Sequence, residues 1–547
     1  MIKFITRPGL MLVFAGLIGF SSFAQKSVKE EVPNGWHLTS KETTGFYGIG
    51  LDKAYEFLKG RKSKQIIVGV IDSGVDTTHE DLKAVLWHNP KEIPGNGIDD
   101  DKNGYVDDVY GWNFIGGKDG RNVKEDSYEA ARVYHQYKSK FENVTDPSTL
   151  SKEDQDNYKM WEKAKQDVIG GANPAMATLY ENIFRDLVVG DSLVRVDLKK
   201  DEYNCKDMED YKPSSSDARK VKTMMTTFCS QNKSESITNT EIIGYFQGEI
   251  RKMQAADQTP PDYRGEIVKD NYYDFNDRYY GNSDVMANTP MHGTHVAGII
   301  GASRTNGKGI EGIADNVKIM MVRAVPDGDE HDKDIALAIR YAVDNGAKVI
   351  NMSFGKGVSP EKKWVDEAVQ YAQSKGVLLV HAAGNDAANI DTSWNFPSAT
   401  FKSNGKKATN WITVGASGDP KIDGLVANFS NYGKTEVDVF APGRKIYSTL
   451  PGGTVYGNLD GTSMASPVVT GVAALIFEYF PNLSPEQVKS IIEKSVTKPT
   501  IKAKNPGTDE DSDLGELSKT GGIINAYEAV KLAATMSGEK VDNKRGF

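Results

Sequence analysis

Cysteine is nearly absent from this chain, which contains two, Cys205 and Cys229, in 547 residues. Neither belongs to a histidine-bearing motif, so a cysteine nucleophile is not expected. An HExxH pattern is missing as well, and no third ligand accompanies His292 and His295. The sequence therefore disfavours two common classes of hydrolase, the cysteine enzymes and the metalloenzymes.

Basic residues are fewer than acidic residues in this chain. Lysine and arginine number 66 against 75 aspartates and glutamates, and the net charge of −9 argues against nucleic acid as a main partner. A single long apolar run lies near the N-terminus, and no other stretch could span a bilayer. With 39% hydrophobic and 26% charged residues, the rest is typical of a soluble globular protein. We expect a monomer without a stable membrane span.

The apolar run belongs to a targeting segment. Two basic residues precede the run at residues 10–20, and Ser22 and Ala24 place small residues at the cleavage positions. We predict a signal peptide and an exported protein, periplasmic or extracellular, with an uncleaved anchor helix as the alternative. Export makes a Cys205–Cys229 disulfide possible, and two free thiols are the other possibility.

The most informative stretch, residues 458–475, reads NLDGTSMASPVVTGVAAL. Ser463 follows small residues that allow a tight turn, and a helix is predicted next, with Pro467 in its first turn. A hydroxyl at a helix N-terminus faces unpaired backbone N–H groups and the positive end of the helix dipole. This arrangement suits a serine nucleophile, although a simple helix cap is the alternative for Ser463 alone.

Two upstream stretches could supply a base and a group that orients it. Residues 65–76 read QIIVGVIDSGVD, an apolar run typical of a buried parallel strand that ends at Asp72. Residues 292–302 read HGTHVAGIIGA and predict a helix that opens at His292. Because open α/β sheets place their sites at the carboxyl ends of strands, Asp72 is expected in such a site.

These three stretches resemble those of the subtilisin-like serine proteases, which have the same chain order of Asp, His and Ser. Residues 381–386 (HAAGND) resemble the oxyanion-hole segment of that family, and residues 351–355 (NMSFG) resemble its substrate-pairing edge. The resemblance covers residues 35–119 and 272–534. It implies a subtilisin-like α/β fold and a serine endopeptidase.

The resemblance also implies the site residues. Asp72, His292 and Ser463 would form a catalytic triad, and Asn385 with the Ser463 N–H would hold the oxyanion. Activity should then fall at low pH, as the imidazole of His292 becomes protonated. The implied substrate-binding residues are Ser353, Phe354, Gly355, Ala382, Ala383 and Gly384.

Strands and helices alternate from residue 61 onward, which predicts a mostly parallel sheet with helices on both faces. Strands are expected at residues 66–71, 318–323, 348–353, 377–382, 411–416 and 437–440. Helices are expected at residues 295–303, 332–344, 360–374, 464–479 and 484–495.

A large, mainly helical insertion interrupts this pattern. Asp72 and His292 are 220 residues apart (292 − 72), and residues 120–264 between them read as amphipathic helices. We expect the insertion to restrict access to the cleft, with a peripheral decoration as the alternative. The predicted order is signal peptide (1–24), N-terminal arm (25–60), N-terminal segment of the catalytic domain (61–119), insertion (120–264), C-terminal segment of the catalytic domain (265–535) and polar tail (536–547).

Residues 96–108 read NGIDDDKNGYVDD and predict a cation site close to a calcium-loop pattern. Hard oxygen ligands favour calcium, although Tyr110 stands where a bidentate glutamate is expected. A solvated turn rich in Asp and Asn is the alternative. The candidate ligands are Asp99, Asp101, Asn103, Tyr105 and Asp107.

Taken together, the sequence predicts an exported serine endopeptidase that acts on polypeptides, with structural calcium. A catalytically silent scaffold that binds peptides is one alternative. A narrow maturation protease with a single partner is another. The residues alone do not set which side chain is preferred next to the scissile bond.

Overall fold

The computed structural model describes residues 32–200, 202–232 and 237–539. The predicted signal peptide and most of the predicted polar tail lie outside these residues. The chain forms two compact units. The larger unit contains Gly35–Ala177 and the chain from Gly248 onward, and the smaller unit contains Thr178–Gln247.

A seven-stranded parallel sheet forms the centre of the larger unit, and its strand order is β2-β3-β1-β4-β5-β6-β7. Consecutive residues of β1 and β6 are buried, and consecutive residues point to opposite faces, so both faces of the sheet are covered. The strands are β1 (Ile66–Asp72), β2 (Gly111–Asn113), β3 (Val317–Arg323), β4 (Ala347–Met352), β5 (Leu378–Ala382), β6 (Trp411–Ser417) and β7 (Val439–Pro442).

All six predicted strands occur, and each end lies within two residues of its predicted position. The sequence did not indicate β2, which is only three residues long, or two antiparallel pairs outside the main sheet. These pairs are β8 (Ile446–Leu450) with β9 (Val455–Leu459) and β10 (Ala503–Lys504) with β11 (Asp511–Ser512).

Helices account for most of the remaining regular structure. They are α1 (Lys41–Thr44), α2 (Leu51–Leu58), α3 (Glu129–Phe141), α4 (Lys152–Gly171), α5 (Pro174–Leu198), α6 (Asp207–Asp210), α7 (Ser216–Asn232), α8 (Asn239–Gln254), α9 (Tyr263–Val268), α10 (Met291–Gly301), α11 (Asp332–Asp344), α12 (Lys362–Ser374), α13 (Thr462–Tyr479), α14 (Pro485–Lys494), α15 (Leu514–Leu517) and α16 (Ala526–Met536). Short 3-10 helices occur at Trp36–Leu38 and Pro147–Thr149.

The insertion is mainly helical, as predicted. Its helices α3 and α4 pack together around a core that includes Phe141 and Trp161. In the smaller unit, Cys205 and Cys229 form a disulfide, which decides between the two alternatives left open by the sequence. Across the described ranges 32–200, 202–232 and 237–539, no helix has both the length and the hydropathy that a bilayer crossing requires.

Three buried histidines make the fold of the larger unit sensitive to acid. Burial lowers the pKa of His37 to about 3, that of His295 to about 3 and that of His381 to about 4. Below about pH 6.5 the unfolded chain binds protons that the native chain does not, so stability is lost as the pH falls towards 4.

We expect each of these histidines to remove about 1.4 kcal/mol from the free energy of unfolding per pH unit below about 6. Replacing His37 by glutamine should make the fall between pH 7 and 5 less steep, as measured by urea unfolding. His88→Gln is the matched control, because His88 is exposed. Equal pH slopes for His37→Gln and the parent chain would contradict the explanation.

Candidate active site

Asp72 and His292 meet at the carboxyl end of β1. Asp72 is the last residue of that strand, and His292 is the second residue of α10. Nδ1 of His292 lies 2.7 Å from Oδ1 of Asp72, and the Ser73 N–H donates to the same carboxylate oxygen over 2.7 Å. Nε2 of His292 is buried and has no hydrogen-bond partner among the described residues. The imidazole is thus anchored through one nitrogen while the other remains available to accept a proton.

Ser463 is the second residue of α13 and is 7% exposed. Its hydroxyl donates to the Ser353 carbonyl over 3.2 Å, and its backbone N–H makes no hydrogen bond within the described part of the chain. α13 packs against α10, which carries His292. A hydrogen bond from Ser463 to His292 would therefore require the hydroxyl to rotate away from Ser353, a rearrangement that ligand binding commonly brings about.

The predicted position of Pro467 was wrong. Because α13 begins at Thr462, Pro467 lies in its second turn rather than its first. An ordinary residue there would donate its N–H to the Ser463 carbonyl, four residues earlier, and proline has no N–H to donate. Ser353 Oγ donates to that carbonyl instead, over 2.9 Å. Because Pro467 donates nothing to the Ser463 carbonyl, that carbonyl is available to Ser353. The resulting hydrogen bond joins the start of α13 to the segment after β4.

Asn385 faces the start of α13 and is oriented by it. Its Oδ1 accepts from the N–H and from the hydroxyl of Thr462, each over 2.9 Å. Thr462 Oγ1 in turn accepts from the Gly384 N–H over 3.1 Å. Since two donors fix the oxygen end, the amino group of Asn385 remains for a ligand. Sequence reasoning missed Thr462, whose role depends on a partner 77 residues away.

Arg323 is a buried positioning residue that the sequence did not indicate. Its Nε donates to the Ser73 carbonyl over 2.8 Å, directly after Asp72. Its Nη2 donates to Thr289 Oγ1 over 2.9 Å, three residues before His292, and to the Val123 carbonyl over 2.6 Å. Burial lowers its pKa to about 10. One guanidinium thus joins the segments that carry Asp72 and His292.

Two residues of the predicted substrate-binding segments, Gly355 and Gly384, lie close to Asn395. A Cβ placed on Gly355 or on Gly384 would lie 3.7 Å from Asn395 Oδ1 in each case. Ala383 has its N–H and C=O engaged within the protein, and so does Gly384. The Phe354 carbonyl accepts from His381 Nε2 over 2.8 Å, and Ala382 is buried. Asn395 is thus a neighbour of both segments that the sequence did not indicate.

The structure adds Glu92 to the candidate ligands of the predicted cation site. Glu92, Asp99 and Asp101 bring carboxylate oxygens within 4.8 Å of one another. Glu92 Oε1 accepts from two backbone N–H groups, while its Oε2 is buried and has no hydrogen-bond partner within residues 32–200, 202–232 and 237–539. An unpaired carboxylate oxygen beside two more carboxylates is the donor set that a hard cation such as calcium prefers.

The other predicted ligands have contacts within the protein. Asp107 accepts from the N–H groups of three residues, Gly95, Asn96 and Gly97. Asn103 Oδ1 accepts from the Tyr105 N–H over 2.8 Å, and the Tyr105 ring packs against Trp112. The role of these three residues as ligands stays a prediction.

Comparison with known proteins supplies an independent line of evidence. The family model described as the subtilase family matches residues 63–521. Thermophilic serine proteinase of Bacillus sp. (strain AK1) is 40% identical over 275 residues, which are 50% of this chain and 59% of that protein. Thermitase of Thermoactinomyces vulgaris is 37% identical over 277 residues, 50% of this chain and 84% of that protein. The match to the cell wall-associated protease of Bacillus subtilis (strain 168), 35% identical, covers 51% of this chain and 30% of that longer protein.

Proposed function

Because this chain belongs to the subtilase family, we propose that it is an exported serine endopeptidase that hydrolyses polypeptides through an acyl-enzyme intermediate. The observation that carries the proposal is the Asp72–His292 pair, whose Nε2 has no partner among the described residues, on a helix that packs against α13, the helix whose second residue is the candidate nucleophile. A silent peptide-binding scaffold would have no chemical need for this anchored imidazole, or for an oriented Asn385.

In the proposed reaction, His292 Nε2 takes the proton of the Ser463 hydroxyl as Oγ attacks the substrate carbonyl. The Asn385 amino group and the Ser463 N–H hold the oxyanion that forms. His292 then gives the proton to the leaving amine, and water hydrolyses the acyl-enzyme by the reverse sequence. Asp72 keeps Nδ1 protonated and stabilises the imidazolium.

The insertion is proposed to restrict access to the cleft. Some of its helices, including α3 and α4, belong to the larger unit and contact the segment after β4: Val358 is buried in the core formed by these helices. Export rests on the N-terminal sequence pattern.

The proposed activity is tested by incubating the purified protein with a denatured protein and identifying the products by mass spectrometry. Internal cleavage that disappears in Ser463→Ala would support an endopeptidase. Unchanged substrate in the presence of a folded enzyme would contradict it.

We also propose that calcium binds Glu92, Asp99 and Asp101 and stabilises the loop at residues 96–108. A cation that binds only the native state stabilises it by about 2.7 kcal/mol at a hundredfold excess over its Kd. When bound, calcium would neutralise the three carboxylates and take the unpaired Oε2 of Glu92 as a ligand.

We expect removal of calcium by EGTA to lower the unfolding temperature by about 3 °C, measured by calorimetry. Glu92→Gln should lose most of this calcium dependence because it removes the unpaired carboxylate. Glu311→Gln is the control, since Glu311 is exposed and paired with Arg304. A calcium response that survives Glu92→Gln would overturn the ligand assignment.

A further inference from the structure

The segment after β4, residues 353–358, contacts the candidate nucleophile at its first residue. Ser353 Oγ donates to the Ser463 carbonyl over 2.9 Å, and the Ser353 carbonyl accepts from the Ser463 hydroxyl over 3.2 Å. Asn351, in β4, holds Ser353 Oγ through a hydrogen bond of 2.9 Å from its Nδ2. The position of Ser463 therefore depends on the position of this segment.

The far end of the same segment contacts the insertion. Lys356 is 6% exposed, and its Nζ donates to a carboxylate oxygen of Glu129, the first residue of α3, over 2.6 Å. Lys356 Nζ also lies 2.8 Å from the carboxylate of Asp332, the first residue of α11. Val358 is buried in the core that α3 and α4 form. Residues 353–358 thus join the candidate nucleophile to the insertion.

Glu129 lies between two cationic side chains. Its Oε1 accepts from Arg132 Nε over 3.1 Å, and its Oε2 accepts from Arg132 Nη2 over 2.9 Å as well as from Lys356 Nζ. If Glu129 carried no charge, Arg132 and Lys356 would repel each other in a buried site, where water screens charges poorly. Lys356 would then shift towards its other partners, the carboxylate of Asp332 and the carbonyl of Glu330.

The charges around Lys356 keep its side chain in place. Burial lowers the pKa of Lys356, but the carboxylates of Asp332 and Glu129 raise it, and the pKa lies above its ordinary value. The ammonium group therefore stays charged at neutral pH. Separating a buried ammonium group from its carboxylates leaves unpaired charges, which is strongly unfavourable. The ion pair thus holds residues 353–358 against α3.

We propose that Glu129 of the insertion is a positioning residue for catalysis: through Lys356 it holds residues 353–356 so that Ser353 fixes Ser463. The proposal rests on the proposed peptidase function. It gives the insertion a second role, because the insertion that is proposed to restrict access to the cleft would also support the nucleophile. Glu129 acts through the segment after β4 and not by contact with the reacting atoms.

The test measures the second-order rate constant for labelling of Ser463 by a small fluorophosphonate, which needs no extended substrate. We expect Glu129→Gln to lower this rate constant about tenfold, the effect of one lost hydrogen bond at the start of α13. Asp438→Asn is the matched control and should keep the parent rate, because Asp438 is also buried and also binds a lysine, Lys489, over 2.9 Å. A folded Glu129→Gln protein with the parent rate would overturn the proposal.

A double-mutant cycle separates a positioning role from a merely structural one. Ser353→Ala should also lower the labelling rate constant about tenfold, because it removes the side-chain donor to the Ser463 carbonyl. If Glu129 acts through Ser353, adding Glu129→Gln to Ser353→Ala should change the rate constant by less than about twofold. A further loss of about tenfold in the double variant would mean that the two residues act independently, and would overturn the proposal.

Glu129→Asp is a milder second variant. It keeps the negative charge between Arg132 and Lys356 but shortens the side chain by one methylene group. We expect the labelling rate constant to fall about threefold, because the shorter carboxylate holds Lys356 less closely. If Glu129→Gln does not fold, an unchanged rate constant in folded Glu129→Asp would overturn the proposal.

The parent chain separates this proposal from the function on which it rests. A folded parent chain that takes no label at Ser463 would overturn the proposed peptidase function and the positioning role with it. A parent chain that takes the label, together with Glu129→Gln and Glu129→Asp variants that are labelled at the same rate, would overturn the positioning role alone.

Discussion

Replacing His292 by alanine is expected to lower kcat by about 10⁶-fold, the loss typical when the general base of such a triad is removed. The structure gives the reason. Nε2 of His292 is buried and has no partner among the described residues, α10 packs against α13, and Nδ1 is held by Asp72. Without the imidazole, the partner of the Ser463 hydroxyl within the described part of the chain is the Ser353 carbonyl, which cannot take its proton.

The measurement is single-turnover hydrolysis of a short peptide ester, with folding checked by circular dichroism. His88→Ala controls for the loss of an exposed histidine and should keep full activity. If a folded His292→Ala protein kept more than about 1% of the parent rate, His292 would not be the base.

Replacing Asp72 by asparagine should lower kcat by about 10⁴-fold with little change in shape. Asp72 is 1% exposed, and its Oδ1 accepts from both the Ser73 N–H and His292. Asparagine can keep one of these bonds, but it supplies no negative charge to stabilise the imidazolium and can donate to Nδ1, which fixes the wrong tautomer.

Asp419→Asn is the matched control for Asp72→Asn. Asp419 is also 1% exposed and also accepts from a backbone N–H, that of Tyr47, over 2.7 Å. Both variants lose a buried carboxylate, so both should unfold more easily, but only Asp72→Asn should lose turnover. Equal losses of kcat in the two variants would mean that Asp72 acts through stability alone.

The features of the site that could be predicted from the sequence are those that depend on a local sequence pattern. The apolar run before Asp72 predicted a buried strand, and β1 ends at that residue. The small residues after His292 predicted a helix, and α10 contains His292 in its first turn. Periodicity and strand ends are local properties, so they can be recognised without knowing the tertiary contacts.

The features that sequence reasoning missed depend on partners far apart in the chain. Lys356 binds Glu129 across 227 residues, and Arg323 binds the Ser73 carbonyl across 250 residues. No spacing rule pairs such residues, because their proximity is created by the sheet order and by the fold of the insertion. The same holds for Glu92, whose unpaired oxygen becomes apparent only when its burial is known.

The start of α13 shows how a boundary error can conceal a contact. The sequence predicted that the helix begins at residue 464, which puts Pro467 in its first turn, where the missing N–H leaves no carbonyl of the helix without a donor. With the helix beginning at Thr462, the proline exposes the Ser463 carbonyl, and Ser353 Oγ fills the gap. Helix ends are the least certain feature of a sequence pattern, and here the end carries the candidate nucleophile.

The central claim is that Ser463 is a nucleophile served by His292. It is tested most directly by reacting the purified protein with a fluorophosphonate and locating the adduct by mass spectrometry. We predict one adduct, on Ser463, that is lost in Ser463→Ala and retained in Ser466→Ala, since the Ser466 hydroxyl is bound to Asn351 over 2.9 Å. A folded protein that takes no label, or that is labelled at another serine, would contradict the claim.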